Sequence, residues 1–255
     1  GGDSISLNNG GNLTVSNCIF EGVTQNNDRA IQASGSNQLT VENSIFQNGW
    51  YVSLQGNYTS LNVSNSTFTN VKSGINVQGP AGNTVTIDNT DFSVIARGVS
   101  NDTYGVRFAS SSTSGKDLTI TNSSFVVDKN DLVAEEGTYH SAIIIRSGAT
   151  GALTVEDNQI FGEVVNQATS NTLDASPNWW GSITGPAAGA IVGSVTYDPW
   201  CGDAECSFFV SATEPTDSGF YVKDGKLFIK GNVNVPGGIE INEPGLTVVF
   251  EDGAV

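Results

Sequence analysis

The sequence predicts an all-β solenoid, a parallel β-helix of about six to seven coils followed by a segment containing a β-hairpin. Three observations predict it: a recurring eight-residue motif, two-residue alternation inside each copy, and a second apolar run after each copy. The motif starts at Leu13 (LTVSNCIF) and returns at Leu39, Leu61, Val85, Leu118 and Leu153, in steps of 26, 22, 24, 33 and 35 residues. Self-similarity at such a period is the mark of stacked supersecondary units, each too small to bury its own apolar face.

Within each copy the first and third positions are apolar: Leu13/Val15, Leu39/Val41, Leu61/Val63, Val85/Ile87, Leu118/Ile120 and Leu153/Val155. Thr or Asn stands between them. Alternation with β-branched residues predicts a short strand with one buried face. The fifth position is Asn17, Asn43, Asn65, Asn89 and Asn122, replaced by Asp157 in the last copy. Asn tolerates the left-handed conformation of a sharp corner, and amides stacked one strand spacing apart can bond along the stack, so an inward Asn ladder is expected. The eighth position is Phe20, Phe46, Phe68, Phe92 and Phe125, an expected aromatic stack. The later apolar runs begin near Ala30, Tyr51, Gly74, Tyr104 and Ser141 and supply a third strand per coil. A leucine-rich repeat lacks these extra strands, and a propeller blade needs about 40 residues and tight hairpins.

Residues 1–200 are expected to form the β-helix, and 201–255 a separate β segment. The regular coils are expected to end at Asn178-Trp179-Trp180-Gly181. Beyond Cys206, Phe220–Lys223 and Lys226–Ile229 flank Asp224-Gly225, a two-residue hairpin signal. Ile239-Glu240-Ile241 and Leu246–Phe250 read as further strands, and Leu246 restarts the motif pattern.

With its Asn corners, stacked Phe and variable loops, this pattern resembles the right-handed parallel β-helices of the pectate-lyase-like superfamily. Asn178-Trp179-Trp180-Gly181, Gly185-Pro186 and Tyr197-Asp198-Pro199-Trp200 are similar to the closing element of many bacterial and archaeal surface β-helix proteins. The resemblance covers roughly residues 1–200. It implies a fold that carries lyases, hydrolases, adhesins and fibres alike, so function must be argued from sites.

Charged residues make up 14 % of the chain, with 26 acidic against 10 basic and a net charge of −16. That balance argues against nucleic acid or an anionic membrane as partner. No stretch is apolar enough to span a bilayer. The sequence holds no Met, position 1 included, so a processed chain or a piece of a longer one is expected. Cys201 and Cys206 are spaced for a small disulfide loop, with metal binding as the rival reading. A disulfide would place the protein in an oxidising compartment, outside the cell or on its surface. Cys18 occupies a position filled elsewhere by Ser or Thr and reads as a small stacked residue.

For chemistry, Asn89-Thr90-Asp91 matches the letters of one polygalacturonase-like motif, but no Asp-Asp pair, Gly-His or Arg-x-Lys follows. The best catalytic constellation is Arg107 and Arg146 on successive third strands, with His140 near and Asp128 and Asp131 on the intervening loop. The plain alternative is two outward basic residues and a solvated loop. No cofactor is expected; Asp128, Asp131, Glu135 and Glu136 offer hard oxygen ligands for a structural Ca²⁺. Trp50, Tyr51 and Tyr58 cluster where rings would stack on a sugar. Trp179, Trp180 and Trp200 read chiefly as packing for the closing element.

The leading expectation is a non-enzymatic extracellular building block of a fibre, sheath or adhesin. Its copies would stack end to end through Ile5 and Leu7 at one end and Leu246, Val248 and Phe250 at the other. The alternative is a polysaccharide lyase or carbohydrate-binding protein using Arg107, Arg146 and the acidic loop.

Overall fold

The computed structural model describes residues 4–8, 10–22, 29–48, 51–78, 84–95, 102–108, 116–128, 139–251 and 253–254. Among them every regular element is a strand. The first face of the solenoid carries the apolar start of each motif. It is built from β2 (Asn12–Ser16), the later halves of β4 (Arg29–Glu42) and β6 (Val52–Ser64), β9 (Thr84–Asp88), β12 (Asp117–Thr121), β15 (Leu153–Glu156), β18 (Leu173–Asp174) and β20 (Val195–Thr196). The second face carries the Phe positions on β3 (Ile19–Glu21), β5 (Ile45–Gln47), β7 (Thr67–Val71), β10 (Asp91–Ile95), β13 (Ser124–Asp128) and β16 (Gln159–Phe161). The third face holds β1 (Ile5–Asn8), the first halves of β4 and β6, β8 (Ser73–Gln78), β11 (Thr103–Phe108), β14 (His140–Ile145), β17 (Glu163–Asn166) and β19 (Ile191–Gly193).

All pairing within this stack is parallel and joins equivalent positions, as in Leu61↔Val85 and Phe92↔Phe125. The stack runs beyond the last motif copy. Leu173 and Val195 continue the first-face column, so the expected end of the regular coils at Asn178 is corrected. Those levels escape the motif search because their strands are only two residues long. The Phe rings lie face to face, 4.7–4.8 Å apart, from Phe20 to Phe125.

The corner residues divide two tasks that the sequence assigns to Asn alone. Asn17, Asn43, Asn65, Asn89, Asn122 and Asp157 all adopt the left-handed conformation, with φ between 46° and 56°. They make the turn, but the five Asn side chains are exposed, which corrects the inward ladder. One amide–amide bond joins Asn89 to Asn65 at 2.6 Å. The inward ladder stands one residue later. Ser44, Ser66, Thr90 and Ser123 are buried. The Oγ of Ser66 accepts the N–H of Ser44 at 3.2 Å, and that of Ser123 accepts the N–H of Thr90 at 3.1 Å. Each hydroxyl donates to the carbonyl two residues back. Towards the C-terminal end the ladder changes to amides: Asn158 Oδ1 accepts from Ser123 N, and Asn178 Oδ1 from Asn158 N, at 2.8 and 2.9 Å. Cys18 stands at the other end of the same column, its N–H bonded to Ser44 Oγ.

A second sheet follows: β21 (Trp200–Cys201), β22 (Phe209–Ser211), β23 (Gly219–Lys223), β24 (Lys226–Lys230) and β25 (Thr247–Phe250). The hairpin turns at Asp224 and Gly225, both with positive φ, and pairs Phe220 with Ile229. Ile239–Ile241 forms no strand, because it packs by its side chains without a hydrogen-bonding neighbour strand. The buried core is continuous from the coils into this sheet through Trp180, Ile183, Trp200, Phe208 and Phe220. The C-terminal end of the coil stack thus shares its core with the chain's own closing element and second sheet.

Candidate binding face and closing element

Period-two alternation on the third face sends Ile75, Val106 and Ile143 inward and their neighbours Asn76, Arg107 and Ile144 outward. Arg146, two residues after Ile144, is the next outward position. The structure brings Arg107 and Arg146 together through a residue the sequence reading missed, Asp102. Its Oδ2 lies 3.4 Å from Arg107 Nη1 and accepts a short bond from Arg146 Nη2. Its Oδ1 accepts the N–H of Tyr139 at 3.0 Å. Arg107 Nε also donates to Asn76 Oδ1, and Arg146 Nη1 to Gln167 Oε1, each at 3.0 Å. Neighbouring coils are therefore tied at one carboxylate, a geometry that needs the strand register and has no signature in the sequence.

Three cations of this face each lie over a tyrosine ring. Arg107 sits 4.7 Å from the Tyr104 centroid, Arg146 5.9 Å from Tyr139, and Lys72 4.6 Å from Tyr51. Tyr104, Ile144 and Val165 form a small outward cluster, buried with Tyr139 against it. Burial pushes the Tyr104 hydroxyl up to about 12. Burial also draws the Lys72 ammonium down, against the opposing pull of Asp102. A guanidinium already shared with a carboxylate is a fixed positive donor rather than a proton acceptor. The arrangement suits holding an anion.

The other expected site residues fall elsewhere. Tyr58 is fully buried in the core, so its expected contact with a sugar is corrected; burial raises its hydroxyl far above the usual range. Tyr51 is half-exposed, and Trp50 lies outside the described residues. Asp128 is half-buried at the end of β13, apart from the shared carboxylate, and His140 begins β14 in register with Thr103. Asp131, Glu135 and Glu136 lie outside the described residues, and so does the expected Ca²⁺ site they would build. Ile5 and Leu7 pair with Ile31 and Ala33 and are half-buried. Leu246 and Val248 are half-buried in the second sheet region, where Phe250 is 68 % exposed.

Cys201 and Cys206 form a disulfide. Their sulfurs come within 4.8 Å of an Asp157 carboxylate oxygen, but bonded sulfurs offer no thiolate, so the metal rival fails for this state. Trp180 and Trp200 pack inside the closing element, and Trp200 Nε1 donates to Ile183 O at 2.9 Å. Gly185, at φ +89°, lets the chain pass the Trp200 ring, where a Cβ would stand 3.0 Å from it.

Comparison with known proteins gives one match: the family model described as a right-handed beta helix region aligns with residues 1–178. No curated protein and no solved structure matches the chain. Among the described residues, no helix is long and apolar enough to cross a membrane.

Proposed function

The chain belongs to the right-handed β-helix family, and from that premise we propose that it is a non-enzymatic extracellular adhesive scaffold whose third face binds an acidic polysaccharide. One observation carries the reading. Arg107 and Arg146 meet at one carboxylate, Asp102, and both they and Lys72 are laid on tyrosine rings of the same face, in a chain whose net charge is −16. Among the described residues, three cations grouped around the Asp102 carboxylate offer a positive site on an acidic molecule. Uronate or sulfate groups would meet fixed donors there, and the aromatic rings would shelter those contacts from water. The disulfide supports an oxidising location.

Binding of polygalacturonate, alginate and heparin to the immobilised protein tests this. Polyanion binding should weaken steeply with salt, and Lys72→Ala combined with Arg146→Gln should lower affinity at least about tenfold. Equal binding by the variant removes the proposed face. Release of unsaturated oligosaccharides, with or without Ca²⁺, removes the non-enzymatic half and returns the lyase reading.

A further inference from the structure

Trp179 behaves unlike its neighbours. Asn178 and Trp180 are buried on either side of it, so alternation turns the Trp179 ring outward. Its backbone is pinned in both directions: Trp179 N donates to Asn158 O, and Ile160 N donates to Trp179 O, each at 2.8 Å. The half-exposed ring lines a cleft of about 550 Å³ between the closing element, the disulfide loop and the 237–244 turn. That volume lies within the range of about 300–1,000 Å³ typical of small-ligand sites.

The walls of the cleft are held in place before any ligand arrives. The disulfide closes the loop bearing Asp203 and Glu205, and Gln159 Nε2 fastens that loop to the coils by donating to Ala204 O at 3.3 Å. Asp203 Oδ1 accepts the N–H of Ser207 at 2.8 Å. Across the cleft, Glu243 accepts from Ser182 Oγ at 2.7 Å and from Ile183 N at 3.0 Å. Glu240 accepts from Asn242 Nδ2 at 2.9 Å. Four carboxylates thus line the cleft with one aromatic ring, and a carboxylate oriented by one or two donors keeps lone pairs for others.

We propose that this cleft is a saccharide site, separate from the third face, selective for neutral or amino-substituted pyranosides. The apolar face of a pyranose would lie on Trp179 while its hydroxyl or ammonium groups donate to the surrounding carboxylates. The same four carboxylates repel a uronate, so this cleft and the third face have opposite charge preferences. The disulfide acts as a positioning device for one wall.

The test follows indole N–H resonances in NMR spectra of the intact chain, which has four Trp. Trp179→Phe assigns its own signal. Cellohexaose or a glucosamine hexamer, titrated in the presence of EDTA, should shift the Trp179 resonance, and trigalacturonate at equal concentration should not. Trp179→Ala should weaken binding at least about tenfold. Cys201→Ser with Cys206→Ser should weaken it less, and Arg107→Gln with Arg146→Gln should leave it unchanged. A Trp179 signal unmoved by both the neutral and the amino oligomer overturns the proposal, as does equal movement with trigalacturonate. If Trp179→Ala fails to fold, judged by loss of the dispersed Trp180 and Trp200 signals, the wild-type titration alone decides.

Discussion

Ser66 accepts the amide proton of Ser44 and donates its own to Ser64 O at 2.8 Å, in a position 3 % exposed. Ser66→Ala removes the acceptor and leaves a buried N–H without a partner, at an expected cost of about 1–3 kcal/mol. The adjacent Asn65 acts by conformation, at φ 47°. Asn65→Ala should cost about 1–2 kcal/mol and Asn65→Gly much less, because only the Cβ is penalised there. Urea denaturation of the three variants checks both statements; equal losses for Ala and Gly at 65 would mean that the amide, not the backbone, holds the corner. Asp88 adds a pH-dependent link: hydrogen bonds from Asn122 Nδ2 and Thr121 Oγ1 hold its carboxyl below the usual range. A depressed folded value means that its stabilisation is present above the unfolded value, near 3.9, and is lost as pH falls through the folded one. The stability gap between wild type and Asp88→Asn should therefore be open at neutral pH and close in strong acid, measured as urea midpoints across that range. The period of these residues was legible in the sequence, but which neighbour faces inward was not. Asn and Ser both suit corners, and only the φ values and burial separate the residue that bends from the residue that bonds.

At the scale of elements, the Phe stack sets what the third strand can carry. A Cβ added to Gly74 would stand 2.9 Å from the Phe92 ring and 2.5 Å from Gly105 O, and one added to Gly105 would stand 2.7 Å from Phe125. Neither glycine has positive φ, so the constraint is space alone. Gly105→Ala should cost about 1–3 kcal/mol by overpacking. Phe68→Ala, in the middle of the stack, should cost about 3–5 kcal/mol, and Phe20→Ala less because its ring is only half-buried. Chemical denaturation gives all three, and a neutral Gly105→Ala would show that the ring moves aside. The aromatic column was readable from an eight-residue motif because its members recur at one offset. The small residues facing it were hidden in runs such as Tyr104-Gly105-Val106, where nothing local marks the glycine. The Asp102 bridge was hidden for a related reason. Arg107 and Arg146 stand out as basic residues on a basic-poor chain, but their shared partner is fixed only by the register of β11 on β14 and by Asp102 folding back across the face.

For the whole molecule, a solenoid contacts only its neighbours along the stack, so cooperation between its ends must pass through every coil. The sequence divides the chain at residue 200. The second sheet begins there, and one apolar core runs across that boundary from Val155 and Ile160 through Trp180 and Ile183 to Trp200, Phe208 and Val210. Asn178 reinforces that joint, accepting from Asn158 N, donating to Val155 O, and receiving through its carbonyl the N–H of Cys201. Two thermodynamic pictures then differ sharply. If the closing element and the second sheet fold independently of the coils, the fluorescence of Trp179, Trp180 and Trp200 should report a transition apart from far-UV circular dichroism, which reports on the coils. If the shared core couples them, both signals should move together. We expect coincident urea midpoints, because separating the two parts would expose buried indoles and break the bonds from Asn178 to Val155 O and from Asn158 N to Asn178. Trp200→Ala should then lower both midpoints equally, by a destabilisation of about 3–5 kcal/mol. A fluorescence transition that shifts alone, with the circular dichroism midpoint unmoved, would mean that the closing element is a lid on the coils rather than their last structural layer.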